Sequence, residues 1–202
     1  MNRGVMVLLL LGLVASLQYW RGRRLNLTLI RELSRQMEEA LRPKEKNYTW
    51  IGGYVGVVAE YVLEDENYSK VKATISLLPH HSLLYLPISL LLGRKDRVYF
   101  LIYPKRKLKG RAHVLFGKKP SSLKGLPRFS FVDTVTLKGV NLKRYYNSKD
   151  EAEFLTKVAS RVKDPRSFEH LAANVEENAY YASVVVGRGD IADLLKSFLA
   201  VQ

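Results

Sequence analysis

The sequence predicts an α+β protein: a single N-terminal membrane-spanning helix, then a mainly antiparallel sheet with flanking helices. Three observations carry this. An uncharged stretch of 17 residues runs from Gly4 to Trp20. Apolar and polar residues alternate with a period of two through much of the middle of the chain, as half-buried strands require. Apolar residues then recur every three to four positions after residue 148, as amphipathic helices require.

Seventeen uncharged residues are at the lower limit for a helix that crosses a bilayer. Tyr19 and Trp20 close the stretch, and such rings favour the headgroup level. Arg21, Arg23 and Arg24 follow at once, against Arg3 on the other side. The positive-inside rule then places the domain in the cytoplasm, N-out and C-in. A cleaved signal sequence is the main rival, but "LVASLQ" is a poor cleavage site and the arginines oppose translocation. Asn26, Asn47 and Asn67 each open a glycosylation acceptor pattern, which argues for the opposite orientation.

The anchor is expected over residues 1–24, with a break at Gly22, and a separate juxtamembrane helix over 25–46. Leu29, Leu33, Met37 and Leu41 give that helix its stripe, Asn26 its cap and Pro43 its end. An α+β domain follows over 47–202, β-rich and basic over 47–145 and helical over 146–202.

Within the domain, Ile51, Val55, Val57, Ala59, Tyr61 and Leu63 share one face of an expected strand. Gly52, Gly53 and Gly56 suggest a bulge or a close backbone approach in it. After the polar turn "EDENY", Val71, Ala73, Ile75 and Leu77 alternate with polar residues, completing a hairpin. Further strands are expected over 97–103, 111–116 and 128–137. Ser148 and Glu151 form a capping-box pattern that opens a helix. Asp164-Pro165 suggests another short helix carrying Phe168, Leu171, Ala172 and Val175. "AYYASVVV" reads as a strand, and Asp190 caps a last helix.

The net charge is +14, and it is concentrated: residues 94–144 hold fifteen basic and two acidic residues. Such a block calls for an anionic partner. The anion-binding candidates are Arg94, Lys95, Arg97, Lys105, Arg106, Lys107, Lys109, Lys118 and Lys119. With their loop tips facing one way, these would form one basic surface. Tyr19, Trp20, Arg21, Arg23, Arg24 and Tyr85 are the candidates for the membrane interface.

The run from Ser82 to Gly93 is twelve residues without charge. As a helix it would be about 18 Å long, too short for a hydrocarbon core of about 30 Å. Because helices apolar on all sides are usually buried, the expectation is a core segment under the sheet. An interfacial helix with Tyr85 at the headgroups is the alternative.

Chemistry is thinly marked. Cysteine is absent, which removes disulfides, thiolate metal sites and a cysteine nucleophile. G-x-S-x-G, H-E-x-x-H and kinase motifs are absent too. Gly187, Gly189 and Ala192 match G-x-G-x-x-A, but only ten residues follow, so a tight turn with an Asp190 cap is the reading. His80 and His81 are the one candidate acid–base pair, read foremost as polar residues of a turn. Neither a cofactor nor a metal is called for.

The short span together with "YTWIGGYVGVVAEY" and "SLLPHHSLLYLPISLLLGRKDRVYF", over residues 47–103, resembles membrane-anchored archaeal proteins of unassigned function. That resemblance implies an anchored domain and no particular activity. The expected function is therefore binding: a membrane-tethered, cytoplasm-facing accessory domain whose basic β-region meets anionic lipid headgroups or a membrane protein partner. A tethered RNA- or ribosome-binding module is the second reading, with Tyr99, Phe100, Tyr103, Phe116, Phe129 and Phe131 as stacking candidates. An enzyme acting on a lipid or a small anion is the third.

Overall fold

The computed structural model describes residues 2–116, 129–188 and 190–201. It is α+β, as expected. Helix α1 (Arg3–Leu41) leads into strands β1 (Glu45–Ile51), β2 (Gly56–Val62) and β3 (Tyr68–Ser76). The short helix α2 (Tyr85–Leu91) precedes β4 (Arg97–Pro104), β5 (Ala112–Phe116), β6 (Phe131–Leu137) and β7 (Val140–Tyr146). Helix α3 (Lys149–Arg161), a 3₁₀ turn (Pro165–Ser167), β8 (Phe168–Asn174), β9 (Ala179–Val185) and α4 (Ile191–Ala200) complete the chain.

All nine strands form one antiparallel sheet in the order β1-β2-β3-β4-β9-β8-β5-β7-β6. β8 and β9 lie between β4 and β5, so the C-terminal part supplies two central strands: β9, where a strand is expected, and β8, where a helix is. One face of the sheet carries the helices. The second half of α1 packs on β2 and α4, and α4 packs on α3, which covers β5, β7 and β8. The core between the layers comes from alternate strand positions such as Val71, Phe100, Tyr180 and Val114, meeting Met37, Leu155 and Phe198.

Local chemistry explains most elements. Ser148 Oγ accepts from Glu151 N and opens α3, though Glu151 does not reach back to complete the box. Asp190 accepts from Ala192 N and Asp193 N at the start of α4, after a turn at Gly187 with φ +83°; Gly189 lies outside the described residues. Pro87 falls in the first turn of α2, where its missing N–H is not needed.

Four expectations are corrected. Residues 51–63 are two strands, because Gly52 and Gly53, both with positive φ, turn the chain back. Lys138 and Gly139 make a second such turn, producing β7. Phe168–Asn174 is a strand with a bulge between Phe168 and His170. Finally, α1 does not break at Gly22, and Asn26 is no cap but a fully buried residue in mid-helix.

Continuity of α1 sets the frame for function. Its 39 residues measure about 58 Å at 1.5 Å per residue. Its most apolar eighteen-residue window has a mean hydropathy of 1.5 with nothing buried, and by length and composition can cross a membrane. The buried positions begin at Gly22 and end at Leu41. One half of the helix is therefore part of the domain's core, and the other projects from it.

Candidate membrane-facing site

Helix α1 leaves the domain at one end of the sheet, termed here the anchor end. Strand register fixes what shares that end: the β1–β2 turn, the 77–96 connection with α2, the Lys138–Gly139 turn, the 162–167 connection and the turn before α4. The opposite end holds the Asp65, Lys105–Lys109 and Glu176 loops.

A lock joins α1 to the 77–96 connection. An ideal Cβ on Gly22 would lie 2.1 Å from His80 O, so only glycine lets the two backbones meet here. Gln18 Nε2 donates to His80 O at 2.8 Å, and Asn26 Nδ2 donates to Leu78 O at 3.0 Å. Asn26 Oδ1 accepts from His80 Nδ1 at 2.7 Å. Asp96 Oδ1 accepts from Leu78 N at 2.6 Å, while its other oxygen faces His80 Nε2 at 3.7 Å. His81 packs edge-on to Tyr19 and Tyr54. His80 and His81 are thus fastenings between helix and domain, which no pattern within "LPHHS" could show.

Beyond the lock, α2 is not core. Leu83, Leu84, Tyr85, Ile88 and Leu90–Leu92 are all exposed, with Leu84 at 74% and Leu91 at 88%. Only Ser89 is buried. The expectation of a core segment fails because the helix layer is already complete without α2, which sits at the rim of the sheet. A projecting apolar helix and an adjacent apolar rim therefore occupy the same end of the molecule.

The nine anion-binding candidates do not form one surface. β4 separates Arg94, Lys95 and Arg97 from Lys105–Lys109 by about 24 Å at 3.4 Å per residue. Lys118 and Lys119 lie outside the described residues. At the far end the cations are mostly paired. Arg106 makes two bonds to Glu151, at 2.7 and 2.9 Å, Lys109 meets Asp150 at 2.7 Å, and Lys105 Nζ donates to Asp65 O at 2.6 Å. Lys107 is exposed there. Burial pushes the Glu151 carboxyl up, but Arg106, the Lys109 amide and Tyr180 together outweigh it and hold it below the usual range.

At the anchor end, the acids are engaged with backbone instead. Asp164 accepts from Arg166 N, Asp190 caps α4, and Asp193 accepts from Lys163 N. Arg94, Lys95, Lys163, Arg166 and Arg188 are exposed with no acidic partner among the described residues. Arg97 is the exception, paired with Glu169 at 3.0 Å. Composition misses this asymmetry because it depends on where each carboxylate is used.

Of the stacking candidates, Phe100 is wholly buried beneath the helices. Tyr99 lies on the open face of the sheet, stacked on Tyr181. Phe116 is partly buried against the core, Phe129 packs on His113, and Phe131 stacks on Tyr146. Tyr103 carries Lys70 over its ring. These aromatics do not share one surface.

The open face holds a cavity of about 680 Å³ lined by Tyr99, Leu101, Tyr181, His113 and His170. The two imidazoles are buried and 3.0 Å apart. Burial and the neighbouring His113 hold His170 down to about 3, so it is neutral at ordinary pH. Among the described residues no group of three or more His, Asp or Glu side chains could hold a metal ion. No protein-family model matches the chain, and no curated protein matches it.

Proposed function

We propose that this is a single-pass membrane protein whose domain is held rigidly on the bilayer with its anchor end against anionic headgroups, acting as a binding or accessory module. The observation that carries this is the exposed apolar rim of α2 beside the point where α1 emerges. Burying two leucines alone contributes about 3 kcal/mol. The surrounding unpaired cations add about 1 kcal/mol each near an anionic leaflet.

Orientation follows from Arg21, Arg23 and Arg24 on the domain side against Arg3 on the other, which favours a cytoplasmic domain. Asn26 is fully buried, which weakens the glycosylation argument for the reverse.

The chain has no cysteine, so single labels are clean. With Leu84→Cys, Leu91→Cys or Glu66→Cys carrying a polarity-sensitive fluorophore, the full chain is reconstituted in anionic vesicles. Blue-shifted emission quenched by spin-labelled lipid is expected at the first two positions and not at the third. Water-like emission at all three would overturn the reading.

A further inference from the structure

Trp20, Arg21, Arg24, Thr28 and Arg31, at and just beyond the end of the apolar half of α1, are exposed. At 100° per residue, Trp20, Arg24, Leu27, Thr28 and Arg31 fall on one face. That face is opposite the one buried through Gly22, Asn26, Ile30 and Leu33. Together with Arg21 they line a groove of about 570 Å³. Arg23 stands at its edge, its guanidinium 4.5 Å above the Tyr54 ring and 5.6 Å from that of Trp20. Its Nε is buried without a hydrogen-bond partner.

Two features set this groove apart from ordinary juxtamembrane charge. First, none of Arg21, Arg23, Arg24 and Arg31 has an acidic partner among the described residues, whereas Arg35, one turn further on, takes both Glu32 and Glu39. Second, Arg31 is misplaced for a plain diester lipid. Trp20 marks the headgroup level, and Arg24 lies one turn beyond it. Arg31 stands about 10 Å further out along the axis. A second anionic group would have to project from the bilayer to reach it.

We infer that the groove binds a lipid whose headgroup carries two or more phosphates, one met by Arg21 and Arg24 and another by Arg31. This rests on the membrane-facing reading above. Arginine suits such a site because its fork engages phosphate oxygens in pairs.

The test uses the full chain with Trp50→Phe, so that Trp20 is the sole tryptophan of the two in the sequence. It is reconstituted in phosphatidylcholine nanodiscs. Trp20 emission is titrated with phosphatidylglycerol and, at matched total charge, with a bisphosphorylated phosphatidylinositol. Parallel arms add soluble inositol trisphosphate or inorganic phosphate to neutral discs. The bisphosphorylated lipid is expected to act at about tenfold lower charge-matched concentration, as bidentate recognition implies. Arg31→Gln should remove that advantage and leave the phosphatidylglycerol response.

Equal responses at matched charge, or an advantage that survives Arg31→Gln, would overturn the inference. Equally tight binding of soluble inositol trisphosphate in neutral discs would overturn the lipid as source. A label at Leu84→Cys in the same discs separates the two readings, because it reports bilayer contact whether or not the groove is filled.

Discussion

The two ends of the sheet use the same residue types for opposite purposes. At the far end, Glu151 is wholly buried, bound by Arg106, Tyr180 and the Lys109 amide, and Lys105 and Lys109 beside it find a carbonyl and a carboxylate. At the anchor end, most acids bind backbone amides, and Arg94, Lys95, Lys163, Arg166 and Arg188 are left without an acidic partner among the described residues, near bare leucines. The first arrangement holds a fold together in water. The second leaves charge and apolar surface to be satisfied from outside the chain. Net charge alone cannot tell these apart; what matters is whether each cation already has a partner.

The largest effect is expected from breaking the far end. Glu151→Ala would strand the Tyr180 hydroxyl and the Lys109 amide and remove the partner of Arg106. Because Arg106 is half exposed and can turn to water, the loss should be about 2–4 kcal/mol, nearer the lower part of the range for broken buried pairs. Chemical unfolding of the full chain in detergent measures it. Bilayer contact at Leu84 should survive in the fraction that stays folded.

Breaking the lock comes next. Gly22→Ala places a methyl against the His80 carbonyl, and overpacking of this kind costs about 1–3 kcal/mol. Hydrogen exchange at Leu78–Ser82 should accelerate, while the amides of β3 and β4 should hardly change. Uniform acceleration across the sheet would mean that α1 is not a separable fastening.

These two sites also show what the sequence made legible. Ser148 and Asp190 announced α3 and α4, because a cap is a local bond between neighbouring residues. Alternation announced β3, where Lys70, Lys72 and Thr74 face outward between Val71, Ala73 and Ile75. β8 reads as a helix in the sequence because Asp164-Pro165 resembles a helix start and the bulge after Phe168 spoils strict alternation. The glycines at Gly52–Gly53 and Gly139 do signal local irregularity, but a glycine alone does not distinguish a bulge from a reversing turn. The order of Trp20 and the three arginines behind the apolar stretch is legible in the sequence itself. The exposure of α2 and the spending of Asp164, Asp190 and Asp193 on amides are not, since both depend on what lies nearby in space.

A pH-dependent effect is expected on the open face between the two ends. His170, ordinarily near 6.5, is held down to about 3 by burial and by His113. Between those values the unfolded chain binds a proton that the folded chain does not. Its contribution is therefore complete above pH 6.5 and is lost as pH falls toward 3, at up to about 1.4 kcal/mol per pH unit. Glutamine at 170 cannot titrate, so His170→Gln should flatten the stability profile between pH 6.5 and 4.5. Below that, protonation of Glu151, bound to Arg106, and of Asp133, bound to Arg144, both held low, lowers stability in either protein. An unchanged slope above pH 4.5 would place the acid sensitivity elsewhere.

The sharpest test of the comparison concerns the charges themselves. Arg94→Glu with Lys95→Glu should weaken bilayer contact by about 1 kcal/mol per altered charge, read as loss of blue shift at a Leu84→Cys label when salt is raised. Lys105→Glu with Lys107→Glu changes the net charge by the same amount about 24 Å away along β4. That is more than two screening lengths, of about 8–10 Å each, at physiological salt. No change in the label is expected. If the far pair matters as much as the near pair, the sheet does not stand on its anchor end. It would have to lie along the bilayer, with the open face and its Tyr99–Tyr181 stack turned to the lipid. The continuous helix α1 would then enter the membrane obliquely, and Arg31 would lie much closer to the phosphate level than its place along the axis suggests.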